Sequence, residues 1–206
     1  MDHRLIDDLM WAVKGHLSFS VFDPLEDEGL STNYEQPVQA ASVIKLFVMA
    51  EAFRQREAGL FDFDSPVTVS AEDHLPSCGA LTYMRAPLTL PWADLVTLMI
   101  ILSDNTATNL LIDRLGQDNI NETIDRLGFE HTRLRRKLWQ AELSRQGIQN
   151  TTCAADTEQF MLLMERGELI SAAASAEMKE ILLNQRLNGK MPFYLHSRGI
   201  RCAPAT

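Results

Sequence analysis

The order of hydrophobic and polar positions predicts a mainly helical chain with a short β layer near its N-terminus. Residues 4–14 carry apolar side chains at the i, i+3, i+4 and i+7 spacing of an amphipathic helix, namely Ile6, Leu9, Met10 and Val13. Apolar side chains then alternate with serines over residues 17–21, which predicts a half-buried strand that ends at Asp23. We expect a second strand at residues 34–38, and a hairpin of the two strands that packs on the first helix.

Helical patterns dominate the rest of the chain. The predicted helices cover residues 43–58, 92–102, 106–115, 119–127 and 174–186. A further helix is expected to be capped by Thr152 and to end at Gly167. The helix at 92–102 is so apolar that we expect it to be buried on most sides. Residues 62–91, which are rich in Asp, Ser, Pro and Gly, are predicted to be a connector, and residues 129–150 have no clean period.

These elements predict an α+β fold in a single domain over residues 1–206. We expect an N-terminal helix and strand hairpin over residues 1–41 and a helical body over residues 42–187. Residues 188–206 have no period and end in an atypical tail.

The composition argues against nucleic acid and membranes as binding partners. With 206 residues and 46% hydrophobic content, the chain can bury a sizeable core. A net charge of −9 argues against binding to nucleic acid or to an anionic membrane, because both need a basic face. The most apolar run, residues 95–102, is too short to span a bilayer.

Neither the N-terminus nor the cysteines indicate secretion. No signal-peptide pattern is visible, so we expect a cytoplasmic protein, or an extracytoplasmic one if a leader was removed. The three cysteines are too widely spaced for a disulfide framework or a metal knuckle, and the five histidines lack metal-ligand spacing. We therefore expect no metal and no cofactor.

Ser42 and Lys45 are the first candidate catalytic residues along the chain. A serine at the start of a helix and a lysine one turn later face the same way. The helix dipole favours negative charge developing at such a serine. The lysine can act as its base only if burial or a nearby positive charge lowers its pKa. An ordinary serine cap beside an exposed lysine is the simpler alternative, because about 0.3 such pairs are expected by chance.

A second group, Ser103-Asp104-Asn105, stands where one predicted helix ends and the next begins. A hydroxyl and a carboxamide at such a break can project into a cleft, although the same residues often serve only as a turn. Chance predicts only about 0.03 occurrences of this tripeptide.

With both groups in this order, about 60 residues apart, the chain resembles the penicillin-recognising serine hydrolases, specifically the class A β-lactamases. Ser42-Val43-Ile44-Lys45 is similar to their Ser-x-x-Lys box, and residues 103–105 are similar to their Ser-Asp-Asn box. The resemblance implies a β-lactamase/transpeptidase-like fold, with a helical subdomain and an antiparallel sheet layer that is incomplete here. The exposed edge of that sheet is a candidate surface for a homo-oligomer.

The resemblance also implies roles for individual residues. Ser42 would be acylated by a β-lactam or a peptidoglycan-peptide-like substrate, with Lys45 as its base. Ser103 would pass a proton to the leaving nitrogen. Asn105 would hold Lys45 and the substrate, and Tyr83 would form an aromatic wall. Asp104 would bond the turn and not the substrate.

The resemblance leaves two positions for the general base of deacylation. In the family a glutamate stands on a loop before a Thr-Thr pair, and here the corresponding loop precedes Thr151-Thr152. One register places Gln140 in that position, and a register shifted by two places Glu142 there. Without a positioned carboxylate the acyl-enzyme would persist, as in a penicillin-binding enzyme.

The family's third box, Lys-Thr-Gly, has no counterpart after Ser103, since Lys190 is followed by Met191-Pro192. Three functions therefore remain open. The chain is predicted to be a β-lactamase-like serine hydrolase, a D-alanyl-D-alanine peptidase-like or slow penicillin-binding enzyme, or a non-catalytic truncated homologue.

Overall fold

The computed structural model describes residue 10 and residues 13–76 and 79–189. Most of the predicted N-terminal helix and residues 190–206 of the predicted tail lie outside the described residues. Within them, the strands are β1 (Phe19–Asp23), β2 (Glu28–Thr32), β3 (Val38–Gln39), β4 (Pro66–Val69), β5 (Leu88–Pro91) and β6 (Thr151–Thr152). The helices are α1 (Ile44–Glu57), α2 (Trp92–Ile101), α3 (Asn105–Leu115), α4 (Gln117–Arg126), α5 (Ala141–Arg145), α6 (Ala154–Glu165) and α7 (Ala172–Leu183). The predicted α+β class is confirmed.

The N-terminal hairpin is made by β1 and β2, which pair antiparallel from Phe19 opposite Thr32 to the turn. The prediction of a partner strand at residues 34–38 is wrong. The chain reverses immediately after β1, because the Asp23 carboxylate accepts the backbone N–H of Leu25 at 2.9 Å and tightens the turn. Among the described helices, the hairpin lies against α6, where the Ser20 hydroxyl donates to the Glu158 carboxylate.

Strand β3 joins two parts of the chain that are distant in sequence. Val38 pairs with Thr152 and Gln39 with Thr151, so β3 and β6 form a short antiparallel ladder. The residues just before Ser42 are thereby held against the end of the 129–150 segment.

Another short antiparallel pair, β4 with β5, lies inside the predicted connector 62–91. The prediction of a connector without strands is therefore wrong. Two prolines at one end of the pair, Pro66 across from Pro91, obscured the strand pattern, because proline usually marks a strand end or a turn.

Helix α1 lies at the centre of the helical body. Eleven of its residues are buried, and it contacts α2, α3, α4 and α7. The ring of Phe47 packs edge-on against Phe129 and Phe160, with centroids 5.1 and 5.3 Å away. Residues 92–102 were expected to be buried on most sides. In α2, Leu95, Val96, Met99 and Ile100 are buried, and Asp94 is the one exposed residue.

A buried carboxylate ties α1 to α4. Glu51 has no solvent exposure and accepts hydrogen bonds from Arg54, Gln55 and Thr123. Because an unpaired buried carboxylate is costly, all three donors stabilise Glu51, and the bond from Thr123 joins α1 to α4.

Helix α6 begins one residue later than predicted. Its cap is Cys153, whose Sγ accepts the backbone N–H of Asp156, whereas Thr152 lies in β6 and its hydroxyl bonds Thr132. Burial raises the pKa of the Cys153 thiol to about 11, so the cap is a neutral thiol at physiological pH.

The junction between α2 and α3 is organised by the buried carboxylate of Asp104. One oxygen accepts the backbone N–H of Ala107 at 3.1 Å and caps α3. The other accepts the backbone N–H of Leu81 at 2.9 Å and holds the turn at residues 79–81. Gly79 fits there because its φ is +127° and a Cβ would lie 2.3 Å from Asp104 Oδ2.

Gly79→Ala should therefore destabilise the protein more than Gly15→Ala does. Gly15 has a similar φ of +138° but no atom within 4 Å of a Cβ, so its substitution adds backbone strain alone. We expect a loss of roughly 2–4 kcal/mol in the free energy of unfolding for Gly79→Ala and about 1 kcal/mol for Gly15→Ala. Urea unfolding measures both. Equal losses would contradict the close approach of Asp104.

Candidate active site

Ser42 and Lys45 stand at the beginning of α1. A single 3-10 turn, Ala41–Val43, precedes the helix, and Ala41 has a left-handed φ of 46°. The spacing of three residues brings Lys45 Nζ within 3.1 Å of Ser42 Oγ. Ser42 is partly exposed, whereas Lys45 is only 1% exposed. The simpler alternative of an exposed lysine is thereby excluded.

Ser103 and Asn105 complete the cluster from the α2–α3 junction. Lys45 Nζ lies 2.7 Å from Ser103 Oγ, 2.8 Å from the Ser103 carbonyl oxygen and 2.8 Å from Asn105 Oδ1. Ser103 Oγ also lies 2.7 Å from Ser42 Oγ. Ser103 adopts a left-handed φ of 55°, which turns the chain sharply between the helices. We call these four residues the serine–lysine cluster.

The cluster can move a proton away from Ser42. An ammonium group carries three N–H donors, whereas a neutral amine carries two and a lone pair. The lone pair of a neutral Lys45 can accept the Ser42 hydroxyl proton directly, or through Ser103 Oγ, which lies 2.7 Å from both atoms. A serine activated in this way is a nucleophile for acyl transfer.

The deacylation candidate Glu142 lies outside this cluster. It stands on α5, is exposed, and its carboxylate accepts from Arg145 at 2.7 Å and from Gln146 at 3.1 Å. Gln140 immediately precedes α5 and is partly exposed. The hydrogen bonds of the Glu142 carboxylate are thus local ones within and next to α5.

Tyr83 ends the 3-10 turn Leu81–Tyr83, and its side chain is 82% exposed. Asp104 holds this turn through the backbone N–H of Leu81, so one buried carboxylate links Tyr83 to the Ser103 junction. Asp104 itself has no solvent exposure and bonds the turn.

Sequence reasoning missed three asparagines that hold the segment before α5. Asn109, Asn121 and Asn150 each donate to and accept from backbone groups of residues 134–138. Of the three, only Asn109 could have been suspected from the sequence. It lies four residues after Asn105 and therefore on the same face of α3. The partners of the other two are set by tertiary contacts.

Among residues 10, 13–76 and 79–189, no group of histidine, cysteine and acidic side chains is arranged to hold a metal ion. In the same ranges, no helix is long and apolar enough to cross a membrane.

The fold is similar to those of several solved structures. The β-lactamase of Sphaerobacter thermophilus has a TM-score of 0.80 at 29% identity, over 86% of this chain and 66% of that one. The structure of PBP-A has a TM-score of 0.81 at 26% identity, over 92% of this chain and 70% of that one. The chain therefore spans about two thirds of the length of these relatives.

A variant of PBP-A with one leucine replaced by glutamate, solved as an acyl-enzyme complex with penicillin G, has a TM-score of 0.79 at 25% identity. The match covers 90% of this chain and 69% of that one. A comparison with curated protein sequences gives no match. The predicted β-lactamase/transpeptidase-like fold is confirmed by these structures.

A family model described as the β-lactamase enzyme family matches residues 3–206. Because this match extends over nearly the whole chain, the chain belongs to the β-lactamase enzyme family.

Proposed function

We propose that this chain is a serine hydrolase that opens the amide of a β-lactam through an acyl-enzyme on Ser42. The single observation that carries the proposal is the position of Ser42 Oγ, which lies within hydrogen-bond distance of both Lys45 Nζ and Ser103 Oγ. The membership of the family and the similarity to a β-lactamase support the choice of substrate class.

In the proposed acylation, Ser42 Oγ bonds to the lactam carbonyl carbon while its proton passes to neutral Lys45. The bond from that carbon to the lactam nitrogen then breaks, and the nitrogen takes a proton through Ser103 Oγ. Asn105 keeps Lys45 in place through the hydrogen bond to its Oδ1 and offers its amide N–H to the substrate. Water then hydrolyses the Ser42 ester and regenerates the hydroxyl.

Intact-mass spectrometry with penicillin G tests the nucleophile. We expect the unmodified chain to gain the mass of one penicillin, and Ser42→Ala to gain none. Ser65→Ala removes a partly exposed hydroxyl that donates to the Asp62 carbonyl, and we expect it to behave like the unmodified chain. If the unmodified chain gains no mass at high ligand concentration, the non-catalytic homologue is the correct assignment.

Lys45→Arg tests the base. The guanidinium group keeps the positive charge but stays protonated at any practical pH, so it cannot accept the Ser42 proton. We expect acylation to slow by about 10²–10⁴-fold, the usual contribution of general-base catalysis. Stopped-flow acylation rates measure this, and circular dichroism checks that the variant is folded. An unchanged rate would remove Lys45 from the role of base.

A slow penicillin-binding or D-alanyl-D-alanine peptidase-like enzyme is the second candidate. The observation that favours it is the local pairing of the Glu142 carboxylate with Arg145 at 2.7 Å, with both side chains largely exposed. A general base must reach the attacking water through a direct hydrogen bond. If Glu142 stays in its local pair, the ester on Ser42 persists. The similarity to PBP-A gives further support.

Glu142→Gln tests whether Glu142 is the base that activates water for deacylation. We expect this substitution to change the decay rate of the acyl-enzyme by less than about twofold, because the exposed carboxylate is engaged on α5. Arg145→Gln breaks the same pair from the other side and is the matched control. Decay is followed by the return to the unmodified mass. A slowing on the order of 100-fold in Glu142→Gln alone would assign the base to Glu142 and favour the hydrolase.

A further inference from the structure

A cleft of about 590 Å³ lies at the end of α1 that is remote from the serine–lysine cluster. Its lining comes from the end of α1, the loop after Gly59, the first turns of α2 and from α7. Arg56 lies about three turns beyond Lys45 on α1, so roughly 16 Å of helix separates the cluster from the cleft. The volume is within the range of about 300–1,000 Å³ that is typical of small-molecule sites.

The apolar lining of the cleft is mainly aromatic. The rings of Phe53 and Phe63 pack edge to face with centroids 5.2 Å apart, and those of Phe61 and Phe63 do so at 5.3 Å. Val96 and Ile181 add aliphatic surface. Such a lining favours a ligand with an apolar body, because their contact removes both surfaces from water.

The charged side chains that line the cleft are mostly acidic. Asp62, Asp64 and Glu177 supply three carboxylates and Arg56 one guanidinium, which gives a net charge of −2. The guanidinium donates to both Glu177 oxygens, at 2.7 and 2.9 Å, and lies 4.5 Å from the ring centroid of Phe53. These hydrogen bonds hold the pKa of Glu177 below its ordinary value. Glu177 thus offsets the charge of Arg56, and the remaining negative charge comes from the two aspartates.

The two aspartates stand at the mouth of the cleft. Along the loop they alternate with Phe61 and Phe63, which are buried, whereas Asp62 and Asp64 are exposed. The Asp62 carboxylate accepts the backbone N–H of Asp64 at 3.0 Å. A cation that approaches the cleft therefore meets two carboxylates in front of the aromatic lining, and this arrangement attracts positive charge.

We propose that this cleft binds a small organic amine, whose ammonium group pairs with Asp62 and Asp64 while its apolar body contacts the aromatic lining. An ammonium group fits because its three N–H donors can serve both carboxylates. An organic anion does not fit, because it would have to displace Glu177 from Arg56 and approach two further carboxylates. The site is separate from the proposed acylation of Ser42 and does not depend on it.

NMR titrations with three ligands that share a phenylethyl or benzyl body test the charge preference. 2-Phenylethylamine is a cation at neutral pH, 2-phenylethanol is neutral and phenylacetate is an anion. We expect saturable shifts of the backbone amide signals of Gly59, Ala93 and Thr97 with the amine, and at least about fivefold weaker binding of the alcohol. Phenylacetate should bind more weakly than the alcohol.

Asp62→Asn/Asp64→Asn tests the two carboxylates. Asparagine keeps an acceptor at position 62 for the backbone N–H of Asp64. We expect this double variant to weaken amine binding about three- to tenfold and to leave binding of the alcohol within about twofold. The matched control is Glu26→Gln/Asp27→Asn, which removes the same two charges from the turn between β1 and β2, outside the lining of the cleft. It should leave amine binding within about twofold.

Ala93→Leu tests the cavity without changing its charge, because a larger side chain at this lining position fills the space. We expect it to weaken binding of both the amine and the alcohol at least about fivefold. Circular dichroism checks that each variant is folded, and the exposed aspartate variant decides the matter if Ala93→Leu does not fold.

Four results would overturn the inference. They are the absence of saturable shifts up to about 20 mM amine, shifts confined to residues outside the cleft, binding of the alcohol or of phenylacetate as tight as that of the amine, and equal losses in the two double variants. The last result would mean that the overall negative charge of the chain attracts the amine.

Each of these readouts is independent of penicillin. Failure of the cleft to bind the amine would therefore leave the proposed acylation of Ser42 standing, and the absence of a penicillin adduct would leave the amine site standing.

Discussion

The burial of the Lys45 amine is the constraint on which the rest of this structure depends. A lysine side chain with 1% exposure is costly unless its nitrogen is hydrogen-bonded, and its nearest oxygens come from Ser42, Ser103 and Asn105. These residues belong to the start of α1 and to the α2–α3 junction, some 60 residues away along the chain. Both places must therefore be held within a fraction of an ångström of their positions for the lysine to remain buried.

The helical body meets this requirement through a second set of buried polar groups. Asp104 caps α3 and holds the turn at Leu81, so that the Ser103 junction cannot slide along α2. Glu51 joins α1 to α4 through the bond from Thr123. Each carboxylate is buried and accepts hydrogen bonds from several donors. Any other packing of these helices would leave a buried carboxylate without some of its donors and would therefore be higher in free energy. The same groups that cost free energy to bury thus specify the geometry of the serine–lysine cluster.

The sequence predicted those parts of the fold whose signals are local. Helix α1 was expected at residues 43–58 and α3 at 106–115, close to their observed bounds, because apolar periodicity and the following glycines mark both. The predictions that were wrong concern pairing. The partner of β1 was predicted at residues 34–38, whereas β1 pairs with residues 28–32. Both segments are short and polar, so the sequence pattern does not distinguish them. Strands β4 and β5 were missed because each has only four residues and one of them is a proline, which leaves little strand signal.

The sequence by itself determined the chemical identity of the candidate site, because Ser42-x-x-Lys45 and Ser103-Asp104-Asn105 are contiguous groups whose spacing follows from helix geometry. It also limited the candidates for the deacylation base to Gln140 and Glu142, of which only Glu142 is acidic. Only the tertiary structure decided that Lys45 is buried, that the Glu142 carboxylate turns to Arg145, and that asparagines hold residues 134–138. The physical reason is that a side chain's burial and its hydrogen-bond partners depend on which distant segments fold against it, and no local pattern records them.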